Sequence, residues 1–350
     1  MEKKRDLLDM TREEMSEVLI EMGFQAFRAG QVFRWLYSGT LDFNEMSNLP
    51  REMRGRLSEE FTAGGLKIAD KLVSRLDETR KYLFELSDGS IIESVLMKYR
   101  FGYSACLSTQ VGCNMGCTFC ASAPLGKIRN LTVGELLAQL LSISRDIGGR
   151  ISHVVLMGIG EPFDNYENVL AFLRRINRED TLNISFRKMT VSTCGIVPRI
   201  LDFAREGLPV NLSVSLHAPT DEARVKIMPI ARKWKLGELL EVCKEYERLT
   251  SRRVTYEYAL IRDVNDSVEF AGILAHKLSG TLCHVNLIPV NTVEGTGFRK
   301  SPRQRTEAFQ QILEKAHIPV TVRRELGSDI MAACGQLRRD TLKKTGRCNF

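Results

Sequence analysis

The stretch from His153 to Asn177 reads HVVLMGIGEPFDNYENVLAFLRRIN, and it holds one complete strand-to-helix unit. The run HVVLMGIG is apolar and β-branched enough for a buried strand, and NVLAFLRRIN repeats its apolar residues at helical spacing. Between them stands Gly160-Glu161-Pro162, a polar turn with an acid at the strand's end. The same grammar recurs along the chain. Strand-like runs are found at 188–195 (KMTVSTCG), 210–217 (VNLSVSLH), 254–261 (VTYEYALI), 283–291 (CHVNLIPVN) and 319–326 (PVTVRREL), separated mostly by helical stretches such as LGELLEVCKEYERL and RTEAFQQILEKA. Alternation of this kind predicts βαβ units and a parallel sheet. Ligands of such sheets collect at the C-terminal ends of strands, where this chain places Gly160 and Glu161, Ser192 to Gly195, Ser215-Leu216-His217 and Pro289 to Asn291.

Upstream the texture differs. Residues 1–62 read as a small helical domain, with TREEMSEVLIEMG, AFRAGQVFRWLYSG and NLPREMRGRLSEEF as its helices. Residues 63–98 read as a strand-rich connector with a hairpin turn at Ser87-Asp88-Gly89. The α/β core is expected over 99–328, and a C-terminal segment over 329–350. A chain of 350 residues is long enough for one large domain and smaller additions. No apolar run reaches the roughly 18 to 20 residues of a membrane helix, and charges interrupt the N-terminus where a signal peptide is apolar. A cytoplasmic protein is expected.

Fifty Lys and Arg against 43 Asp and Glu give a formal charge of +7, compatible with a nucleic-acid partner. The tail LRRDTLKKTGRCNF concentrates that charge. Nine cysteines is an odd count, and four of them crowd into SACLSTQVGCNMGCTFCAS, residues 104–122. That argues against a disulfide scaffold and for metal or redox use. Cys113, Cys117 and Cys120 have the spacing CxxxCxxC. Structural zinc usually closes with four protein ligands, often as two separated pairs, and no second pair follows. Three thiolates on an iron–sulfur cubane leave one iron free.

Together, LSTQVGCNMGCTFCAS, LMGIGEPFDN, VSLHAPTDEAR, NLIPVN and AACGQL resemble the RlmN/Cfr family of radical S-adenosylmethionine RNA adenine methyltransferases, and GEP and NLIPVN look closer to its RlmN branch. The resemblance implies a partial (βα)6 TIM-like barrel. It implies a [4Fe-4S] cluster on Cys113, Cys117 and Cys120, and S-adenosylmethionine contacts at Gly160, Glu161, Ser192, Ser215, Leu216, His217 and Asn291. It also implies that two S-adenosylmethionine molecules are consumed: one methylates Cys334, and the other yields a radical that activates that methyl for attack on adenine. Glu93 matches the base that removes the ring proton, and Cys106 the thiol that releases the product through a transient disulfide with Cys334. Cys194, Cys243, Cys283 and Cys348 receive no role, and the first three are expected as buried free thiols. The implied substrates are 23S ribosomal RNA, methylated at adenine C2, and certain transfer RNAs. An external electron donor such as flavodoxin or ferredoxin and a monomeric enzyme complete the expectation. Methylation at C8 is the alternative chemistry, and a zinc-stabilised RNA-binding protein is the non-enzymatic one.

Overall fold

The computed structural model describes residues 4–290 and 297–332. Ten strands form one sheet: β1 Leu66–Val73, β2 Arg80–Leu86, β3 Ile91–Tyr99, β4 Gly102–Cys106, β5 Ile151–Leu156, β6 Met189–Thr193, β7 Asn211–Ser215, β8 Val254–Leu260, β9 Cys283–Pro289 and β10 Val320–Val322. Their spatial order is their order in the chain. From β4 to β10 every neighbouring pair is parallel, and β1 to β4 are antiparallel. Each parallel step crosses over through at least one helix, which makes a singly wound arc of the TIM type with an antiparallel extension at its first edge.

Two features go beyond the sequence reading. The first parallel strand is Gly102–Cys106, directly before the cysteine segment. The strand-rich stretch before it belongs to the same sheet, because β3 pairs with β4. Its hairpin turn lies at Ser87 to Gly89, where Gly89 has a φ of +79° and the Asp88 carboxylate accepts from the Ser90 amide at 2.9 Å.

The sheet's outer face is apolar. Val191, Val214, Tyr256 and Leu287 pack there in one core with the helices. Its inner face is polar and includes Ser192, Ser213, Ser215, Glu257 and Asn286, with Glu257 opposite both Ser215 and Asn286. The N-terminal helices α1 Arg12–Glu21, α2 Phe27–Tyr37 and α3 Arg51–Glu60 fall where periodicity puts them. Thr11 and Glu14 form a capping box on α1. This unit docks onto α4 Val133–Ile147 and α5 Tyr166–Asn177. The Asp9 carboxylate accepts from the Gly134 amide at 2.6 Å, and Arg175 donates to the Leu8 and Met10 carbonyls at 2.8 Å.

Gln139 of α4 fixes the start of the cysteine segment. Its Oε1 accepts from Ser94 Oγ at 2.8 Å and from the Ser108 amide at 3.0 Å, and its Nε2 donates to the Ser108 carbonyl at 3.1 Å. All three residues are fully buried. Gln139→Leu would orphan both Ser108 backbone groups, at about 1–3 kcal/mol each. Urea unfolding should therefore show a loss on the order of 2–6 kcal/mol; an unchanged midpoint would contradict the clamp.

Candidate functional site

The loop carrying Cys113, Cys117 and Cys120 is pinned at its base by antiparallel pairing of Gln110–Gly112 with Lys127–Asn130. Inside the loop, the Cys113 amide donates to the Gly126 carbonyl at 3.0 Å and the Thr118 amide to the Ile227 carbonyl at 2.9 Å. Met115, Cys117 and Phe119 pack against Cys194, Met228 and Val290. The loop thus closes over the C-terminal ends of the parallel strands. One cavity there is lined by all three cysteines together with Gly160, Glu161, Ser192, Ser215 and His217. Residues far apart in the chain meet because every parallel strand ends on the same rim. Leu216 differs: its side chain is buried in the main core, and its carbonyl accepts from Arg224 Nε at 3.2 Å. Asn291, Cys334 and Cys348 lie outside the described residues.

Local geometry explains why these residue types stand at the strand ends. Gly160 has a φ of +108°, and a Cβ there would come within 2.6 Å of Gln110 Cβ, so only glycine lets the turn lie against the cysteine segment. Glu161 is buried, and burial raises its pKa. Its carboxylate accepts from the Cys194 amide at 2.7 Å and the Phe163 amide at 3.0 Å, which ties the ends of β5 and β6 together. The Thr193 and Cys194 side chains hydrogen-bond to it as well, and the residue lines the cavity. His217 has a φ of +57°. Its Nδ1 accepts from the Ala259 amide at 2.9 Å, so the neutral ring carries its proton on Nε2.

The donor set suits an iron–sulfur cluster. Burial pushes the Cys113 thiol up to about 12 and Cys117 higher still, with the neighbouring thiols adding to the effect. Arg224 is fully buried. It donates to the carbonyls of Cys194 at 2.7 Å and Ser215 at 3.2 Å, while its Nη1 is buried with no hydrogen-bond partner among the described residues. Its charge acts on Cys117 and favours the thiolate, so thiolate ligands would supply this buried cation with a counter-charge.

A second group lies on the wall formed by β2, β3 and β4. Val95 pairs with Cys106 on one side and with Lys81 on the other. Side chains alternate along a strand, so Glu93, Val95 and Met97 share their face with Lys81 and Cys106. Val95, Met97 and Cys106 pack in one cluster with Leu326 and Ala332. Ala332 stands two positions before Cys334. Glu93 is completely buried, with Lys81 Nζ 3.4 Å from its Oε2; Lys81 also donates to the Met331 carbonyl at 3.4 Å. The chain leading to Ala332 is moored to the same extension: Asp329 accepts from Ser74 Oγ at 2.7 Å and the Arg75 amide at 2.9 Å, and Asp77 accepts from the Gly327 amide at 2.9 Å.

Several functional candidates received no role from sequence. Cys194, a buried free thiol as expected, also lines the cavity and sits in the cysteine loop's cluster; its position in VSTCG, at a strand end, was the available signal. Cys243 and Cys283 are core residues as expected. Glu257 lines the cavity and accepts from Ser213 Oγ and Asn286 Nδ2, both at 2.8 Å. An acid inside VTYEYALI was its signal. Lys81 and Arg224 gave none, since each acquires its partners only through the fold.

A singly wound parallel arc with a cysteine triplet closing its strand ends defines the radical S-adenosylmethionine class. Residues 107–271 match the family described as Radical SAM superfamily, and residues 5–62 the one described as Ribosomal RNA large subunit methyltransferase N-terminal domain. Over 340 residues, 97% of this chain and 99% of the relative, the sequence is 50% identical to "Probable dual-specificity RNA methyltransferase RlmN" of Clostridium acetobutylicum. The protein of the same name from a Thermoanaerobacter species is 51% identical over the same shares. The crystal structure of a radical SAM methyltransferase from Sphaerobacter thermophilus is similar with a TM-score of 0.92 and 43% identity, covering 95% of this chain and 99% of that one. The chain belongs to the RlmN family of radical S-adenosylmethionine RNA methyltransferases. A [4Fe-4S] cluster and S-adenosylmethionine are the cofactors of that class.

Two measurements check the geometry. Lys81→Met removes the counter-charge of a buried carboxylate and should cost about 3–5 kcal/mol in denaturant unfolding. The double variant Lys81→Met, Glu93→Gln should recover much of it, and equal losses would show that the ion pair is not the cause. Burial also holds His217 neutral down to a pKa of about 3. Below about pH 6.5 the unfolded ring takes up a proton that the folded one refuses, so stability falls with pH from about 6.5 toward 3. His217→Asn keeps an acceptor without titrating, and it should flatten that acid limb by up to about 1.4 kcal/mol per pH unit.

Proposed function

We propose that this enzyme methylates C2 of a specific adenosine in the peptidyl transferase centre of 23S ribosomal RNA, and of the adenosine 3′ to the anticodon in some transfer RNAs. The RNA methyltransferase class rests on the family. The observation that carries the finer reading is the pairing of two adjacent workplaces: a cysteine-lined cofactor cavity, and a wall on which Glu93 and Cys106 share one face with the anchored approach to Cys334.

Adenine C2 has no lone pair with which to attack a sulfonium methyl. Bound at the cavity, the cluster and S-adenosylmethionine supply the one-electron chemistry that overcomes this. In this reading Cys113, Cys117 and Cys120 hold the cluster, while Gly160, Glu161, Ser192, Ser215, Leu216, His217 and Asn291 form the cofactor's surroundings. Two cofactor molecules are consumed per methyl delivered, one of them to place the methyl on Cys334. Glu93 accepts the proton released from the ring carbon, with Lys81 supplying the counter-charge that keeps a buried carboxylate tolerable. The Cys106 thiolate then attacks the Cys334 sulfur; as the disulfide forms, the sulfur–carbon bond breaks with its electron pair passing to the methylene carbon on the adenine, which takes up a proton to become the methyl group. Electrons come from an external donor such as flavodoxin or ferredoxin, and the working unit is a monomer. The helices of 1–62 act as an accessory domain, 63–98 as the carrier of the base, 99–328 as the radical core and 329–350 as the methyl-carrying segment with its basic tail.

Anaerobic purification and product analysis test this together. Wild-type protein should carry about four irons per chain. Ala at Cys113, Cys117 or Cys120 should abolish that content, whereas Cys106→Ala should keep it and accumulate an RNA–protein adduct. NMR of the product nucleoside should place the methyl at C2. A methyl at C8, or a colourless protein with stoichiometric zinc, would overturn the reading.

A further inference from the structure

Arg224 stands on the short helix Asp221–Ile227, which is fastened to the cysteine loop: the Ile227 carbonyl accepts from the Thr118 amide at 2.9 Å. Gly116 abuts the same segment, since a Cβ there would lie 3.4 Å from Pro229 Cγ. The guanidinium is fully buried. Its Nε donates to the Leu216 carbonyl at 3.2 Å, and its Nη2 to the carbonyls of Cys194 at 2.7 Å and Ser215 at 3.2 Å. These carbonyls stand at and just past the ends of the paired strands β6 and β7. Nη1, with two N–H groups, meets no acceptor among the described residues. The strongest electrostatic neighbours of the side chain are the Cys194 and Cys117 thiols, ahead of the Asp221 carboxylate.

Such a site holds a cation without a matching anion. Three carbonyl dipoles solvate the guanidinium in part, but a buried ion needs a counter-charge to offset the loss of water. Burial lowers its pKa, yet arginine stays protonated in proteins, so the charge persists. A [4Fe-4S] cluster on the neighbouring thiolates answers it with negative charge, and with more once it is reduced. In that step one electron enters from the external donor, no bond breaks, and the net charge of the cluster falls by one. Cluster potentials follow net charge, hydrogen bonds to sulfur and solvent exposure. We propose that Arg224 tunes the cluster: acting through Cys117, its buried charge favours the reduced state and raises the potential at which the electron is taken up. The inference rests on the ligation by Cys113, Cys117 and Cys120 proposed above. Bracing two strand ends is the competing role. Lysine would keep the charge and lose the fork, whereas glutamine would keep an N–H donor and lose the charge.

The measurement is a potentiometric titration of the anaerobically purified enzyme, without S-adenosylmethionine or RNA, with the reduced cluster followed by electron paramagnetic resonance. Arg224→Gln should make reduction about tenfold less favourable, a fall of about 59 mV for a one-electron couple. Arg224→Lys should stay near wild type. Asp221 acts on the same guanidinium and accepts from the Leu236 amide at 2.8 Å. Asp221→Asn keeps an acceptor there and removes an opposing charge, so it should raise the potential, by less because Asp221 is partly exposed. Iron content should match wild type in all three. An unmoved potential in Arg224→Gln, or equal falls in Arg224→Gln and Arg224→Lys, would overturn the tuning role. Loss of iron from both would do the same, leaving Arg224 a brace alone. Where Arg224→Gln alone loses iron, Asp221→Asn carries the test, and an unmoved or lowered potential in it overturns the proposal. A wild type that holds no iron would instead sink the cluster reading beneath it.

Discussion

The register that sets Val95 opposite Cys106 is the constraint on which the wall shared by Glu93, Val95, Met97 and Cys106 depends. Side chains alternate along strands, so a slip of one residue would turn Cys106 away from the wall that carries Glu93, Val95 and Met97. Nothing local to either strand prevents such a slip. The lock is supplied from behind, where Gln139 holds Ser94 of β3 and both backbone groups of Ser108, just beyond β4. Ser108 Oγ donates in turn to the Glu93 carbonyl at 2.6 Å and accepts from the Ile159 amide at 3.0 Å. One buried glutamine and one buried serine therefore coordinate the antiparallel extension, the start of the cysteine loop and the turn before Gly160.

The inner face of the arc follows a different rule from that of a packed barrel. Layers of branched apolar residues fill an ordinary TIM barrel; here Ser192, Ser213, Ser215, Glu257 and Asn286 take those positions. Buried polar groups are tolerable only when satisfied, and Ser213, Glu257 and Asn286 meet that condition by hydrogen-bonding to one another. The outer face, with Val191, Val214, Tyr256 and Leu287 against the helices, supplies the apolar burial that the lumen forgoes. Stability and ligand binding are thus assigned to opposite sides of one sheet.

Sequence conveyed the parts of this arrangement that have local periodicity. The strand-to-helix alternation after the cysteines, the three N-terminal helices and the turn at Ser87 to Gly89 each rest on spacing within a few residues. The polar strand ends were legible for the same reason, because Gly160, Glu161, Ser192, Ser215 and His217 interrupt apolar runs at their C-terminal ends. Lys81, Arg224 and Gln139 were illegible because a charged or amide side chain in an amphipathic segment looks like surface until its partner, often scores of residues away, is known. Cys194 was foreseen as a buried free thiol and is one; the cavity it lines depends on the cysteine loop folding over β6.

The mooring of Gly327 and Asp329 to the extension gives the C-terminal segment a fixed origin on the same wall as Glu93 and Cys106. A group borne on a short chain rooted beside its partners meets them at an effective concentration on the order of millimolar, however dilute the protein. In the proposed cycle, encounter between the Cys106 and Cys334 thiols would therefore be unimolecular. Dilution that separates enzyme from RNA would leave that encounter untouched, and competing small thiols would have to exceed that concentration to intercept the exchange.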